Sequence, residues 1–406
     1  MVHPAAIPGA SVSGSEILRE LPSAEGVVLF SLFTTALFWS CGAENRVPEL
    51  AAVERQALAQ LNECACWAGI AVIARHLAST TPADRDELAQ ACFCVADWAS
   101  GHNARETALA FTLLAALIVP RHPRYAWAAG RMLRSHGRMR EAEFWYRRSH
   151  RVAVWMRDAY GQSISLSSLG VLAYIAGSQS KAERRLEKAL LVASRHGLRI
   201  LEGEILHNLM LLEMERHEFA RAEEYAARVV ERYLPDHERL PALAHDIACL
   251  WMEQGHFARA LPVLCSLVPR FTDPVEKFQV FAALVRAAGG AGDKAAFASA
   301  WVGADACLPL VQEESLHAGA FLDLGRGAAS LASWDQAVSA FQRAELIARS
   351  RGEADVLFKV ESALDAVRRR EGADHSARTV PQRYGTAAAD SIARNVIQAL
   401  QPALTA

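Results

Sequence analysis

Small and large apolar residues recur along this chain at fixed offsets. From Ser168-Leu169-Gly170 the series runs to Gly177, Ala182, Leu186 and Ala189, and Leu324-Gly325 opens a second copy through Ala332-Ser333-Trp334, Ala337, Phe341 and Ala344. A small residue, a turn residue seven places on, an Ala at twelve and a large apolar residue at sixteen predict two helices packed as a hairpin. The small residue lets the helices approach, and the residue at sixteen fills the gap beside it. Registers fall at Gly130, Gly170, Met210, Ala248 and Gly325, with a degenerate unit near Val285, so the spacings are 40, 40, 38, 37 and 40 residues. Turns are expected at Gly137, Gly177, His217, Gly255, Gly292 and Ala332, and the Ala positions are 142, 182, 222, 260 and 337, with Phe297 in the weak unit. At sixteen stand Tyr146, Leu186, Ala226, Leu264, Trp301 and Phe341. Each hairpin leaves an apolar face for the next to cover, so such units come in arrays.

The flanks are less regular. Residues 87–120 read as an imperfect hairpin with a turn at Gly101-His102-Asn103, residues 49–79 supply two more apolar helices, and residues 26–41 another. The expected organisation is a disordered tail (1–14), an irregular helical cap with degenerate repeats (15–119), repeats with a closing helix (120–372), a linker (373–386) and a C-terminal amphipathic helix (387–406). That last helix gathers Ile392, Val396, Ile397 and Leu400 on one face and is too short to stand alone, so it needs a docking surface on this chain, a second copy or another protein. No run alternates with the period of a strand, so the fold is expected to be all-α.

The offsets resemble tetratricopeptide repeats, in the longer version of roughly forty residues found in bacterial regulators and adaptors. The resemblance covers about residues 120–372 and is clearest at 130–153, 169–193, 247–267 and 324–348. The paired steps Leu206-His207-Asn208-Leu209 and Ala244-His245-Asp246-Ile247 are similar to those of uncharacterised bacterial members. It implies a right-handed superhelical solenoid of antiparallel helical hairpins and an interaction role, and it implies no reaction.

Composition narrows this further. At 52% hydrophobic the chain can bury a large core, and 43 basic against 45 acidic residues leave no global pull toward nucleic acid or anionic membrane. Only five of the basic residues are Lys, an Arg bias in an Ala-rich background that suggests a bacterial source. The eight Cys lie mostly in apolar helical patterns, which suits free thiols in a reducing compartment, the cytoplasm. The apolar stretch 26–41 has 16 residues and a flank of Glu16, Arg19, Glu20 and Glu25 that is acidic on balance, against about 20 residues for a spanning helix and a basic flank for an export signal.

Catalytic signatures are missing. Gly325-Arg326-Gly327 lies in a repeat helix and lacks the third Gly of a dinucleotide loop, and Gly289-Gly290-Ala291-Gly292-Asp293-Lys294 lacks phosphate-loop spacing and reads as a repeat turn. Cys64/Cys66 and Cys92/Cys94 sit two apart, which on a helix points them to nearly opposite sides and disfavours a shared metal. No enzyme, cofactor or metal is expected.

The inner face is set by register, at −6, −3, +1 and +4 from each small residue. It comprises Arg124, Trp127, Arg131 and Arg134, then Ser167, Val171 and Tyr174, then Glu204, His207 and Leu211, then His245, Cys249 and Met252. Residues 121–160 hold ten Arg against Glu141, Glu143 and Asp158. Arg forks suit carboxylate or phosphate, so this patch fits an acidic peptide, a terminal carboxylate or a nucleic-acid backbone; it equally fits a solvated Arg-rich surface, to which Arg147, Arg148 and Arg151 are assigned. His207 and His245 share a register and are expected to be neighbours open to ligand bonding, metal or pH sensing, unless Asn208 and Asp246 serve chiefly to bond adjacent helices. Residues 201–240 turn acidic, ten acids against five Arg, and that polarity would orient a dipolar partner or a second copy. The expected function is a non-catalytic scaffold for a protein or peptide segment; the alternative is a ligand-responsive transcriptional regulator without its own DNA-binding domain, since residues 1–48 offer no basic recognition helix. Nucleic acid and membrane are not expected partners, and a homodimer through the C-terminal helix or the ends of the array remains open.

Overall fold

The computed structural model describes residues 14–21, 24–40, 47–59, 66–79, 84–233, 237–311, 315–369 and 386–400. Among them the regular structure is helical, with no strand. The expected tail and linker lie almost wholly outside these residues. The chain divides into two units, one ending at Leu201 and the other starting at Glu202.

The first unit opens with α1 (Ser15–Glu20), α2 (Ala24–Ser40), α3 (Leu50–Ala59) and α4 (Cys66–Ala78). Three hairpins follow: α5 (Arg85–Gly101) with α6 (Arg105–Ile118), α7 (Pro123–Ser135) with α8 (Met139–Met156), and α9 (Ala159–Ile175) with α10 (Gln179–Arg195). Pro123 occupies the first turn of α7, where its missing N–H costs nothing, and Asp158 caps α9 by accepting from the Gly161 N–H at 3.0 Å. Gly137 and Gly177 both take φ +73°, the left-handed conformation that ends one helix and reverses the chain into the next. A side chain on Gly170 would press to 2.8 Å from Leu186 Cγ, so the predicted small residue and the residue at sixteen are in direct register. Ala142, Ala182, Tyr146 and Leu186 are all buried. The first helix has a role no periodicity revealed: Glu20 accepts the Glu106 and Thr107 backbone N–H groups at 2.7 Å each. It thereby satisfies the amino end of α6 from 86 residues away.

In the second unit α11 (Arg199–Glu215), which carries the boundary, leads to α12 (Phe219–Tyr233), α13 (Leu240–Glu253) with α14 (Phe257–Leu267), α15 (Pro274–Ala291) with α16 (Lys294–Cys307), α17 (Ala318–Ser330) with α18 (Trp334–Arg351), then α19 (Ala354–Arg368) and α20 (Thr386–Leu400). The four expected turns appear again as positive φ, at His217, Gly255, Gly292 and Ala332. The segment from Gly289 is a turn only at Gly292; Gly289 and Gly290 are helical. They are glycine for proximity, because a Cβ on Gly289 would lie 2.2 Å from the Gly327 carbonyl oxygen and one on Gly327 would lie 2.3 Å from that of Val285. The backbones of α15 and α17 therefore meet directly.

The weak unit has a physical explanation. In the regular units the glycine is on the first helix and the bulky residue on the second. Here Gly303 of α16 receives Phe281 of α15, with the ring 2.4 Å from an added Cβ. Small and large partners have exchanged helices, which leaves Trp301 only half-buried.

The last helix, α20, docks on this same unit, against α12, α13 and α14. Ala389, Ile392, Ala393, Val396 and Leu400 are buried there. Arg259 Nε pairs with Asp390 at 3.0 Å, and Arg270 Nε donates to the Leu400 carbonyl at 2.6 Å, placing a cation at the negative end of α20.

Candidate functional site

The register positions do not face one way equally. At 3.6 residues per turn, +4 and −3 lie only about 40° and 60° from the residue that packs on the second helix, whereas +1 and −6 lie about 100° and 120° away. Exposure follows this order. Arg131 (+1) and Arg124 (−6) are exposed, Val171, Leu211 and Glu204 are half-buried, as are Trp127, Tyr174, Arg134 and His245, and Ser167 and His207 are buried. Met252 at +4 is fully buried; it belongs to the core, as does Ser167, and neither presents surface to a partner.

In the first unit the face is built on α7 and α9. Trp127 Nε1 donates to Ser168 Oγ at 2.9 Å, fixing the indole, and the Arg131 guanidinium lies 5.5 Å over the ring. Arg124 lies 6.0 Å over Phe93 of α5. Burial raises the Tyr146 pKa, while hydrogen bonding from Arg134 and Ser168 to its hydroxyl opposes the shift. Some other arginines of this unit are neutralised, among them Arg138 by Glu141 at 2.6 Å and Arg147 by Glu143 at 2.9 Å. Arg124, Arg131 and Arg134 have no carboxylate partner among the described residues.

In the second unit the two histidines converge on one carboxylate. His207 Nε2 is 2.8 Å from Asp246 Oδ2, and His245 Nδ1 is 3.6 Å from Asp246 Oδ1. Asp246 thus bonds across from α13 to α11, and the imidazoles are neighbours through it. Burial raises the Asp246 pKa, but hydrogen bonds from His207 and His245 outweigh that and hold it at about 2. Electrostatic interaction with Cys249 first, and then hydrogen bonding to Asp246, raises His245 well above the usual histidine value against burial. Cys249 Sγ approaches the same Nδ1 at 3.8 Å. With sulfur and carboxylate on one nitrogen, the ring cannot relay a proton between them, so this is no catalytic triad.

Further along, Arg286 Nη1 pairs with Glu253 at 3.0 Å and Asp323 at 3.3 Å, and Arg326 Nη1 lies 3.8 Å from Glu253. Burial pushes the Glu253 carboxyl up but the Arg286 and Arg326 charges bring it below its ordinary value; for Asp323 burial prevails and its pKa is raised. Arg286 and Arg326 stand at +1 from Val285 and Gly325, the same offset as Arg131. Extending that offset past Ala248 would have found them. Two cations face two carboxylates, so this network is balanced internally while the α7 cluster is not.

Among the described residues no group of three or more His, Cys, Asp or Glu side chains could hold a metal ion. Cys66 and Cys92 are buried and Cys94 exposed, and burial raises the Cys92 thiol pKa; Cys64 lies outside the described residues. No described helix is long and apolar enough to cross a membrane.

No protein-family profile matches the sequence, and no curated protein matches it. A solved structure of BtubC (BKLC) from P. vanneervenii is 18% identical with a TM-score of 0.43, over 56% of this chain and 92% of that one. A Podosopora anserina kinesin light chain of nearly identical TPR-like repeats is 16% identical with a TM-score of 0.40, over 47% of this chain and 99% of that one. The fold is typed by its own hairpins: small residue against the residue at sixteen, a left-handed turn at seven and a buried Ala at twelve. On that packing the chain is an all-α protein of repeated antiparallel helical hairpins.

Proposed function

We propose that the α7 and α9 face of the first unit holds an acidic segment of a partner protein, making the chain a non-catalytic scaffold. The observation that carries this reading is the set of guanidinium groups at Arg124, Arg131 and Arg134, none paired with a carboxylate among the described residues. Uncompensated cations beside half-buried Trp127, Val171 and Tyr174 suit a segment that brings both carboxylates and an apolar anchor. The Arg286 and Arg326 network, whose charges are balanced internally, has less to offer such a segment. The free thiols of the described cysteines and the Arg bias fit a bacterial adaptor with a regulatory role in the cytoplasm.

The test is fluorescence anisotropy with acidic peptides selected from a displayed library. Arg124→Glu with Arg131→Glu reverses charge at exposed positions and leaves helicity intact. The expected result is a loss of about tenfold or more in affinity, the scale of charge-assisted contacts. Unchanged affinity would overturn the assignment.

A further inference from the structure

A second cationic cluster lies on a different surface of the first unit. Arg148, Arg151, Val152 and Trp155 follow one another at helical spacing along α8, on one stripe. Pro120 and Arg121, from the connection before α7, complete a pocket of about 410 Å³. Arg148 is fixed by donating from Nη2 to the Pro120 carbonyl at 3.3 Å and by lying 5.5 Å over Trp145. The Arg121 guanidinium is 5.8 Å over the Trp155 ring. Trp155 is 70% exposed, which no packing role in the hairpin explains.

The cluster is short of negative charge. None of Arg121, Arg148 and Arg151 pairs with a carboxylate among the described residues, whereas Arg147 on the same helix does. Burial, and then the neighbouring Arg151, lowers the Arg148 pKa from its ordinary value. Such an arrangement stores repulsion that an incoming anion relieves. Guanidinium forks match phosphate oxygens in number and plane. An exposed indole next to them supplies what a peptide carboxylate has no use for, a surface on which a planar base stacks. The volume lies in the range of small-ligand sites.

We propose that this pocket binds a nucleotide, its phosphate on Arg148 and Arg151 and its base on Trp155. The chemistry is that of a phosphate ester joined to a base, whether free or as one unit of a single strand. This site is separate from the α7 face, and Arg124 and Arg131 take no part in it.

The experiment is calorimetric titration of the full-length protein with AMP, adenosine, inorganic phosphate and a short single-stranded oligodeoxyadenylate. AMP binding more tightly than adenosine or phosphate supports the site. Trp155→Ala and Arg151→Ala, both at exposed positions, should each weaken AMP about tenfold, while Arg124→Glu with Arg131→Glu leaves it unchanged. If the oligonucleotide binds more tightly than AMP and loses affinity steeply with salt, the source is a strand; if AMP matches it, the source is the free nucleotide. Absence of heat with both ligands overturns the proposal, as does binding that survives Trp155→Ala and Arg151→Ala combined. Heat from an acidic peptide alone, abolished by Arg151→Ala, would likewise replace the nucleotide with a protein partner.

Discussion

His207 and Asp246 are joined across two hairpins, Nε2 to Oδ2 at 2.8 Å. A carboxylate only accepts, so His207 carries its proton on Nε2, and the other Asp246 oxygen is left to His245 at 3.6 Å.

This arrangement makes the second unit sensitive to pH. Asp246 is held at about 2, below its ordinary 3.8, so its stabilisation is present above the ordinary value and is lost only as pH falls through about 2. His245 is raised above 6.5, so its contribution is complete below that value and is lost as pH rises through the folded pKa. The groups facing His245 are Asp246, Cys249 and, electrostatically, Asp323. His245→Asn should therefore flatten the alkaline decline of the melting temperature. An alkaline limb of unchanged slope in a melting series would contradict this.

Arg286 is 3% exposed and holds both Glu253 and Asp323. Arg286→Met removes the buried cation shared by the half-buried Glu253 and Asp323, leaving Glu253 with Arg326 at 3.8 Å, and should destabilise by about 3 kcal/mol. Adding Glu253→Gln should recover part of that loss. Urea midpoints at constant slope check it, and simple additivity of the two changes would show that the groups are not coupled.

Two glycines of the second unit should respond oppositely to alanine. Gly289→Ala drives a Cβ to 2.2 Å from a backbone oxygen of α17 and should cost about 2 kcal/mol or more. Gly319, near the start of α17, has nothing within 4 Å of an added Cβ, so Gly319→Ala should stabilise by about 0.5 kcal/mol or more. Thermal melts of the two variants decide it, and a shift of the same sign in both would refute the packing argument.

Val396, on the docked face of α20, is fully buried. Val396→Asp should release that helix, seen as faster amide exchange over residues 386–400 and over the parts of α12 and α14 it covers. Exchange confined to native rates would mean that α20 is held by Arg259 and Arg270 alone.

Turn positions were legible because reversing a helix into its neighbour needs a left-handed residue, and all six expected sites take positive φ. The Ala and small-residue rows were legible for the same local reason. What escaped were relations between distant residues. Glu20 caps α6 through an oxygen, which has no periodicity; Phe281 and Gly303 swap the usual partners, so the unit looks degenerate although it packs well. At the candidate face, register placed the chosen residues on the first helices of the hairpins but treated four angular positions as equal. Helical geometry separates them, which is why Arg131 reaches solvent and Met252 does not.

Site-specific photo-crosslinking decides whether an acidic segment meets the α7 and α9 face. A crosslinker at Val171, half-buried on α9, is compared with one at Val302, 68% exposed on the second unit, in the presence of a selected acidic peptide. Capture from position 171, lost with Arg124→Glu and Arg131→Glu, is the result predicted. Capture from position 302 with none from 171 would contradict it.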